Sequence, residues 1–414
     1  MSYQGIAGIL VFITVAWLMS ESRRRFPVKL VITGVICQFV IALILLKLPI
    51  FANVFIYANR VVLALEESTR AGTSFVFGYI GGGDLPFDVT NPYATFILAF
   101  QALPLVLVIS ALSAVFFYWK ILPKIVGGFS WVLEKGMRLG GAEGLGVSAN
   151  VFVGMVEAPL LIRPYVEKMT RSELFTLMTS GMATIAGTVM VLYASILRDV
   201  IPNVAGHILT ASIISIPAAI VISKVIIPET ENPTSAKLDE TDPATSAMDA
   251  LTQGTISGIQ LLINIIAMII VLVAVVHLVN ILLGLFPEIF GAPLGLQRIL
   301  GWFMAPVVWL IGVPWAEAPV AGALLGTKTI LNELIAYIDM ASLPEQALGT
   351  KSLLIMSYAL CGFANPGSLG IMIGGLGGIA PGRREEIVSL GFKSIIAGTM
   401  ATCMTGAVVG LLYW

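Results

Sequence analysis

Eight stretches of this chain, at roughly 4–20, 28–49, 95–118, 173–195, 204–227, 258–284, 351–376 and 388–413, are apolar over the length a helix needs to cross a bilayer. In hydrocarbon every backbone N–H and C=O must be satisfied within the protein, which leaves helices or a closed barrel. Runs this long suit helices. The expected fold is an all-α polytopic membrane protein. Only 11% of residues are charged, against about 25% in soluble domains, so lipid is the main solvent.

The net charge of −1 gives no electrostatic case for nucleic acid. Cys37, Cys361 and Cys403 lie far apart in apolar stretches, and His207 and His277 are isolated. This pattern suits neither a disulfide framework nor a zinc centre. The first apolar run, Gly5 to Met19, is followed by its basic cluster, Arg23-Arg24-Arg25, the reverse of a signal peptide, and reads as a permanent span.

Basic residues set the sides. Arg23–Arg25 with Lys29, Lys120 with Lys124, Arg163, Lys168 and Arg171, and Arg383-Arg384 are expected on the cytoplasmic side. Eight spans satisfy this with both termini outside. Residues 125–165 and 298–332 are apolar but broken by Gly and Pro, and each must return to the side it left, so both read as re-entrant hairpins. An odd number of spans separates them, which makes the duplication inverted.

Two strings support the duplication. Gly154-Met155-Val156-Glu157-Ala158-Pro159 is echoed by Pro314-Trp315-Ala316-Glu317-Ala318-Pro319. Ser172-Glu173-Leu174 follows the first at the distance at which Asn332-Glu333-Leu334 follows the second. Carboxylates in a hydrocarbon setting are costly and are kept mainly for function. Gly181-Met182-Ala183-Thr184 and Gly362-Phe363-Ala364-Asn365 sit in the spans after the hairpins. Gly187 follows the one and Pro366-Gly367 the other, and an unwound segment there frees backbone groups for a solute or ion.

The expected organisation is 1–124, N-terminal spans and an interfacial segment at 50–94, mostly scaffold; 125–227, the first repeat; 228–257, an acidic linker; 258–297, a scaffold span; and 298–414, the second repeat.

At these residues the chain resembles the concentrative nucleoside transporter family, as a bacterial member. The carrying strings are Glu157-Ala158-Pro159-Leu160, Gly312-Val313-Pro314-Trp315, Thr329-Ile330-Leu331-Asn332-Glu333 and Ala359-Leu360-Cys361-Gly362-Phe363-Ala364-Asn365. The resemblance implies a homotrimer in the cytoplasmic (inner) membrane, importing nucleosides by sodium symport through an elevator-like movement, with no enzymatic activity. It places Met155, Val156, Glu157 and Val189 at the nucleobase, and Glu333, Asn365 and Ser368 at the ribose, with Phe363 nearby. Ribose hydroxyls donate well to a carboxylate, and Asn and Ser both donate and accept. The sodium site maps onto the Asn150 side chain, the Thr184 hydroxyl and the carbonyls of Val153 and Ile185. The family's usual Gly-Gln-(Thr or Ser)-Glu is here Gly154-Met155-Val156-Glu157, so two groups that would read a base edge are apolar.

Plainer readings stand beside these. Glu157 could tie down the hairpin tip, Lys328 could pair with Glu333, and Phe363 could be core. Glu173 and Glu317 suit structural roles, Glu173 at a helix entrance. Asn150 and Thr184 could be interhelical glue. Trp17, Trp309 and Trp414 suit the membrane boundary. Competing functions are a proton-coupled nucleoside symporter, a passive channel and an intramembrane enzyme; the last has no metal cluster or nucleophile–base pair in its favour.

Overall fold

Apolar runs interrupted by Gly, Pro and buried polar residues give helices that start and stop inside the molecule. The computed structural model describes residues 3–413 apart from 89–94, 138, 153, 156–157, 160–161, 235–243, 290 and 292; the side chains of 49–55, 58–59, 164 and 188 are also outside the description. In chain order the helices are α1 (Gln4–Leu18), α2 (Val28–Lys47), α3 (Pro49–Phe77), α4 (Leu98–Gln101), α5 (Leu105–Tyr118), α6 (Ile121–Met137), α7 (Gly141–Asn150), α8 (Arg163–Val166) and α9 (Arg171–Ala183). There follow α10 (Gly187–Leu197), α11 (Val204–Ile226), α12 (Ala247–Leu283), α13 (Leu296–Leu310), α14 (Ala318–Ile330), α15 (Glu333–Ala341), α16 (Thr350–Ala359), α17 (Pro366–Ile379) and α18 (Arg384–Leu412).

Among the described residues, five segments have the length and apolarity to cross a bilayer: α2, α4 with α5, α11, α12 and the segment containing α18. The chain is a multi-pass membrane protein. The expected spans at 173–195 and 351–376 are each two helices. α9 stops at Thr184 and α10 starts at Gly187, while α16 stops at Leu360 and α17 starts at Pro366. The two breaks meet. A Cβ on Gly362 would lie 2.8 Å from the Met182 carbonyl oxygen, so only glycine lets these backbones approach.

Several boundaries differ from expectation. The acidic linker ends earlier, because Ser246 caps α12 by accepting from the Asp249 amide, and 247–257 are helical. Residues 121–137 form a separate amphipathic helix with Ile125, Trp131 and Val132 exposed, so the first hairpin begins at α7 rather than at residue 125. The 50–94 segment contains α3, one continuous helix laid against α11.

The second hairpin is also displaced. Its tip is Leu331-Asn332, between α14 and α15, and α13 packs alongside α14. The paired strings therefore do not mark equivalent places. Glu317 caps α14 at an exposed edge beside Trp315 and accepts from the Gly349 amide at 3.1 Å. Ala318-Pro319 opens α14 with proline in the first turn, where its missing donor costs nothing. Likewise Thr170 with Glu173 and Asn332 before Glu333 are helix caps. The echo reports helix-start chemistry. The order of elements does recur, however: helix, tip, helix, then a broken helix, at 141–197 and again at 318–379.

Packing divides the helices into two sets. α1 and α2 lie against α11 and α18, which also contact the broken helices. α12 packs chiefly on α5, and most of its apolar surface, including Ile256, Ile263, Ile270 and Leu278, is exposed. At one end a charged clasp gathers residues from three regions. Arg171 bonds Glu21 at 2.9 Å and Glu386 at 3.2 Å, and Lys393 bonds Glu21 at 2.8 Å. The Arg171 hydrogen bond, opposed by partial burial and aided by Lys393, holds the Glu21 carboxyl at about 2, so Glu21 is ionised at neutral pH. The basic segments around 23–25, 163–171 and 383–384 thus share one end.

Candidate functional site

A cavity forms where the first hairpin tip, both broken helices, the second hairpin tip and α12 converge. Its walls include Gly154 and Met155, Val189 and Tyr193, Leu331 to Leu334, and Phe363, Asn365 and Ser368. Six of the eight residues expected to meet substrate are therefore together: Met155, Val189, Glu333, Phe363, Asn365 and Ser368. Val156 and Glu157 lie outside the described residues, as does Val153 of the expected ion site.

Local backbone chemistry puts the polar groups there. Leu331 ends α14, and Asn332 caps α15 by accepting from the Ile335 amide at 2.8 Å, so Glu333 occupies the first helical position. Pro366 sets the first turn of α17, and Asn365 caps it through the Ser368 amide at 2.8 Å. Two helix N-termini, with their unpaired amides, thus border the cavity.

Glu333 is the only carboxylate among the described lining residues. It is 4% exposed. Its Oε1 accepts from the Tyr193 hydroxyl at 2.6 Å, and its Oε2 accepts from Asn365 Nδ2 at 2.9 Å. Charge-assisted bonds of this kind are short and strong. Tyr193 is itself held against Tyr337, with ring centroids 5.1 Å apart. The expected alternative of a Lys328–Glu333 pair is not what forms. Lys328 Nζ instead donates to the Ala359 carbonyl at 2.9 Å and the Thr402 hydroxyl at 2.7 Å. The helix ends between the two residues, and that turns them apart.

The opposite wall is apolar: Met155, Ala186, Val189 and Leu192, with Leu261, Ile265 and Met268 from α12. A carboxylate with an amide at one end and apolar walls at the other suits a neutral solute with hydroxyls on one side and a flat ring on the other. Phe363 is only partly buried and faces the cavity. The positive φ of Gly154, 114°, makes the tip turn that brings Met155 in. A Cβ on Gly187 would lie 2.7 Å from the Phe152 carbonyl, so tip and helix break are in contact.

The expected ion ligands also cluster, around Ser180. The Asn150 amide lies 2.7 Å from Ser180 Oγ. With the amide oriented so that both its atoms are satisfied, its oxygen also accepts from the Gly181 amide at 3.2 Å and its nitrogen donates to the Gly154 carbonyl at 3.2 Å. Thr184 donates to the Ser180 carbonyl at 2.8 Å, and Ile185 follows in the break, 3.5 Å from the Ser212 hydroxyl. All the offered atoms are neutral oxygens in a buried, helix-broken setting, which fits a hard monovalent cation.

Tyr193, Asn332 and Asn264 were not anticipated. Tyr193 stands one turn beyond Val189, a spacing that places both on one helix face. Asn264, one turn after Gln260, is an amide within an apolar stretch of α12, a signal that sequence alone could have flagged.

Comparison with known proteins matches this arrangement. Family models described as Na+ dependent nucleoside transporter N-terminus, Nucleoside recognition, and Na+ dependent nucleoside transporter C-terminus match residues 7–80, 99–199 and 207–410. The Uncharacterized transporter YutK of Bacillus subtilis is 37% identical over 98% of this chain and 98% of its own. The chain belongs to the concentrative nucleoside transporter family. Solute carrier family 28 member 3 of Homo sapiens is 33% identical over 98% of this chain and 59% of its own. The solved structure of CNTnw in an inward-facing substrate-bound state superposes with a TM-score of 0.91 at 32% identity, covering 99% of this chain and 97% of that one. As a member of this family of nucleoside transporters, the protein is a carrier of nucleosides and not an enzyme.

Proposed function

We propose that this transporter imports nucleosides by sodium symport, with the ribose held at Glu333, Asn365 and Ser368 and the base lying between Phe363 and the wall of Met155 and Val189. Val156 and Glu157 complete the base end. The observation that carries this reading is the Glu333 carboxylate, the one carboxylate among the described residues lining the cavity, buried and oriented by Tyr193 and Asn365. Ribose hydroxyls reaching it exchange water for charge-assisted bonds, each worth about 1.5–3 kcal/mol.

Sodium is held by the Asn150 and Thr184 side chains with the Val153 and Ile185 carbonyls, next to the first hairpin tip that closes the cavity. Ion and nucleoside then bind against the same tip, so each stabilises the conformation the other needs. The recurring element order supports two units inverted in the membrane. The separate packing of α5 with α12 supports a fixed scaffold past which the rest of the chain moves, elevator-like, and the exposed apolar face of α12 is the surface available for a homotrimer in the bacterial inner membrane.

The decisive experiment is nucleoside uptake into proteoliposomes at fixed pH with sodium replaced by choline. Uptake should collapse and should concentrate nucleoside only with a sodium gradient. Undiminished uptake in choline would transfer the coupling to protons, and mere equilibration under every gradient would make the protein a passive pore.

A further inference from the structure

The ion site proposed above uses one of two similar places. Asn150 closes α7, the first arm of its hairpin, and rests against the last turns of α9 just before that helix breaks. In the recurrence, α14 is the first arm and α16 the helix that breaks. Lys328, in the last turn of α14, precedes Leu360 by nearly the interval that separates Asn150 from Thr184. Thr184 and Leu360 are the residues at which the two helices stop.

Lys328 is wholly buried, and its ammonium is directed at the end of the broken helix. It donates to the Ala359 carbonyl, in the last turn of α16, at 2.9 Å and to the Thr402 hydroxyl at 2.7 Å. Thr402 in turn donates to the Thr399 carbonyl, which leaves its lone pairs for the lysine. Among the described residues no carboxylate forms an ion pair with Lys328. A buried ammonium without a counter-ion is costly unless its surroundings are built for positive charge. Here a helix C-terminus, the negative end of its dipole, supplies that. The ligands are a released carbonyl and a threonine hydroxyl, the same chemistry as at Thr184 and Ile185.

We propose that Lys328 is a tethered cation filling the second copy of the ion site, so that the transporter carries one mobile cation per nucleoside. This rests on the nucleoside symport reading. Fixed charges on the moving helices, the Lys328 ammonium and the Glu333 carboxylate alike, cross with the load and return without it, so their shares cancel and only the mobile ion counts. One net charge moves per cycle. Lys328 stands five residues before Glu333 and leaves that carboxylate's oxygens to Tyr193 and Asn365.

The test is the charge moved per nucleoside, read from the membrane potential at which net nucleoside flux reverses in proteoliposomes clamped with potassium and valinomycin. The wild type should give one. Lys328→Asn, which restores the amide of the first copy, should admit a second sodium. Its ratio should rise to two, and its sodium activation should steepen from hyperbolic to sigmoidal. A lysine that only braces the helix end would change the rate and leave the ratio alone. Two charges in the wild type, or an unchanged ratio in a transporting Lys328→Asn, would overturn the proposal. If Lys328→Asn does not elute as a folded carrier, Lys328→Gln, which keeps the length of the side chain and the amide, takes its place in the same assay with the same two outcomes. Persistence of uptake in choline would sink the sodium assignment separately, since the charge ratio is read whichever cation moves.

Discussion

Tyr193 and Glu333, on helices that belong to different copies of the recurring unit, share a hydrogen bond of 2.6 Å at the floor of the cavity. The tyrosine fixes one carboxylate oxygen and Asn365 fixes the other, so the acceptor lone pairs that remain have set directions. Tyr193→Phe removes one donor and leaves the ring packed on Tyr337. A hydrogen bond to a charged group is worth about 1.5–3 kcal/mol, or roughly ten- to a hundredfold in affinity. Nucleoside affinity by calorimetry should fall within that range while the protein stays folded. Unchanged affinity would detach Tyr193 from the site.

The base end makes a different prediction. Met155 presents a thioether to the cavity where the family's usual pattern has an amide, so in the proposed pose this wall would pack against a base without reading its edge. Met155→Gln should alter the order in which purine and pyrimidine nucleosides compete for uptake. A factor of about ten between bases corresponds to 1.4 kcal/mol, within the reach of one added hydrogen bond. An unaltered competition order would place base selection elsewhere.

How much of this was legible beforehand varies with the kind of residue. Asn365 and Ser368 are assigned to the site by the family resemblance, whereas Glu333 stands out because a carboxylate in apolar sequence needs a reason. Tyr193 did not, because an aromatic in a span is usually core and only its partner reveals its role. The repeat was legible in outline, from two Gly- and Pro-broken regions each followed by a loosened helix. Its register was not. Glu-Ala-Pro recurs because helices start with similar chemistry, so the matching strings paired a hairpin tip with an exposed helix entrance at Glu317. The Lys328–Glu333 pair looked plausible by spacing, yet helix geometry holds only while the helix continues, and it stops at Leu331.

Sodium coupling can be probed without touching the nucleoside. Thr184→Val keeps the shape and deletes the hydroxyl that the ion would use. The sodium concentration for half-maximal uptake should rise about tenfold or more, equivalent to at least about 1.4 kcal/mol, and nucleoside affinity should recover at saturating sodium. An unchanged sodium requirement would show that this hydroxyl is only interhelical glue.

A buried pair offers a test of stability. Lys224 Nζ lies 2.8 Å from Glu143 Oε1, joining α11 to α7, and the lysine also donates to Ser172 at 3.1 Å. Lys224→Met would strand a buried carboxylate, at a cost of about 3–5 kcal/mol. Thermal unfolding in detergent should move down by several degrees. Adding Glu143→Leu should restore much of the loss, since replacing both partners removes the stranded charge. No recovery in the double variant would mean that the lysine acts through its other partners, Ser172 and Glu229, the latter 3.3 Å from its Nζ.

Met268 and Asn264 reach the cavity from α12, whereas Glu333 opens the second arm of its hairpin and Asn365 and Val189 belong to the helices that break. The container therefore has a lid made of another part. Any slide of one body along the other uncovers the cargo on that flank or seals it, with no separate door required. Side chains on this single helix could then set how tightly a cargo fits at one membrane face without altering the Glu333 and Asn365 end of the cavity.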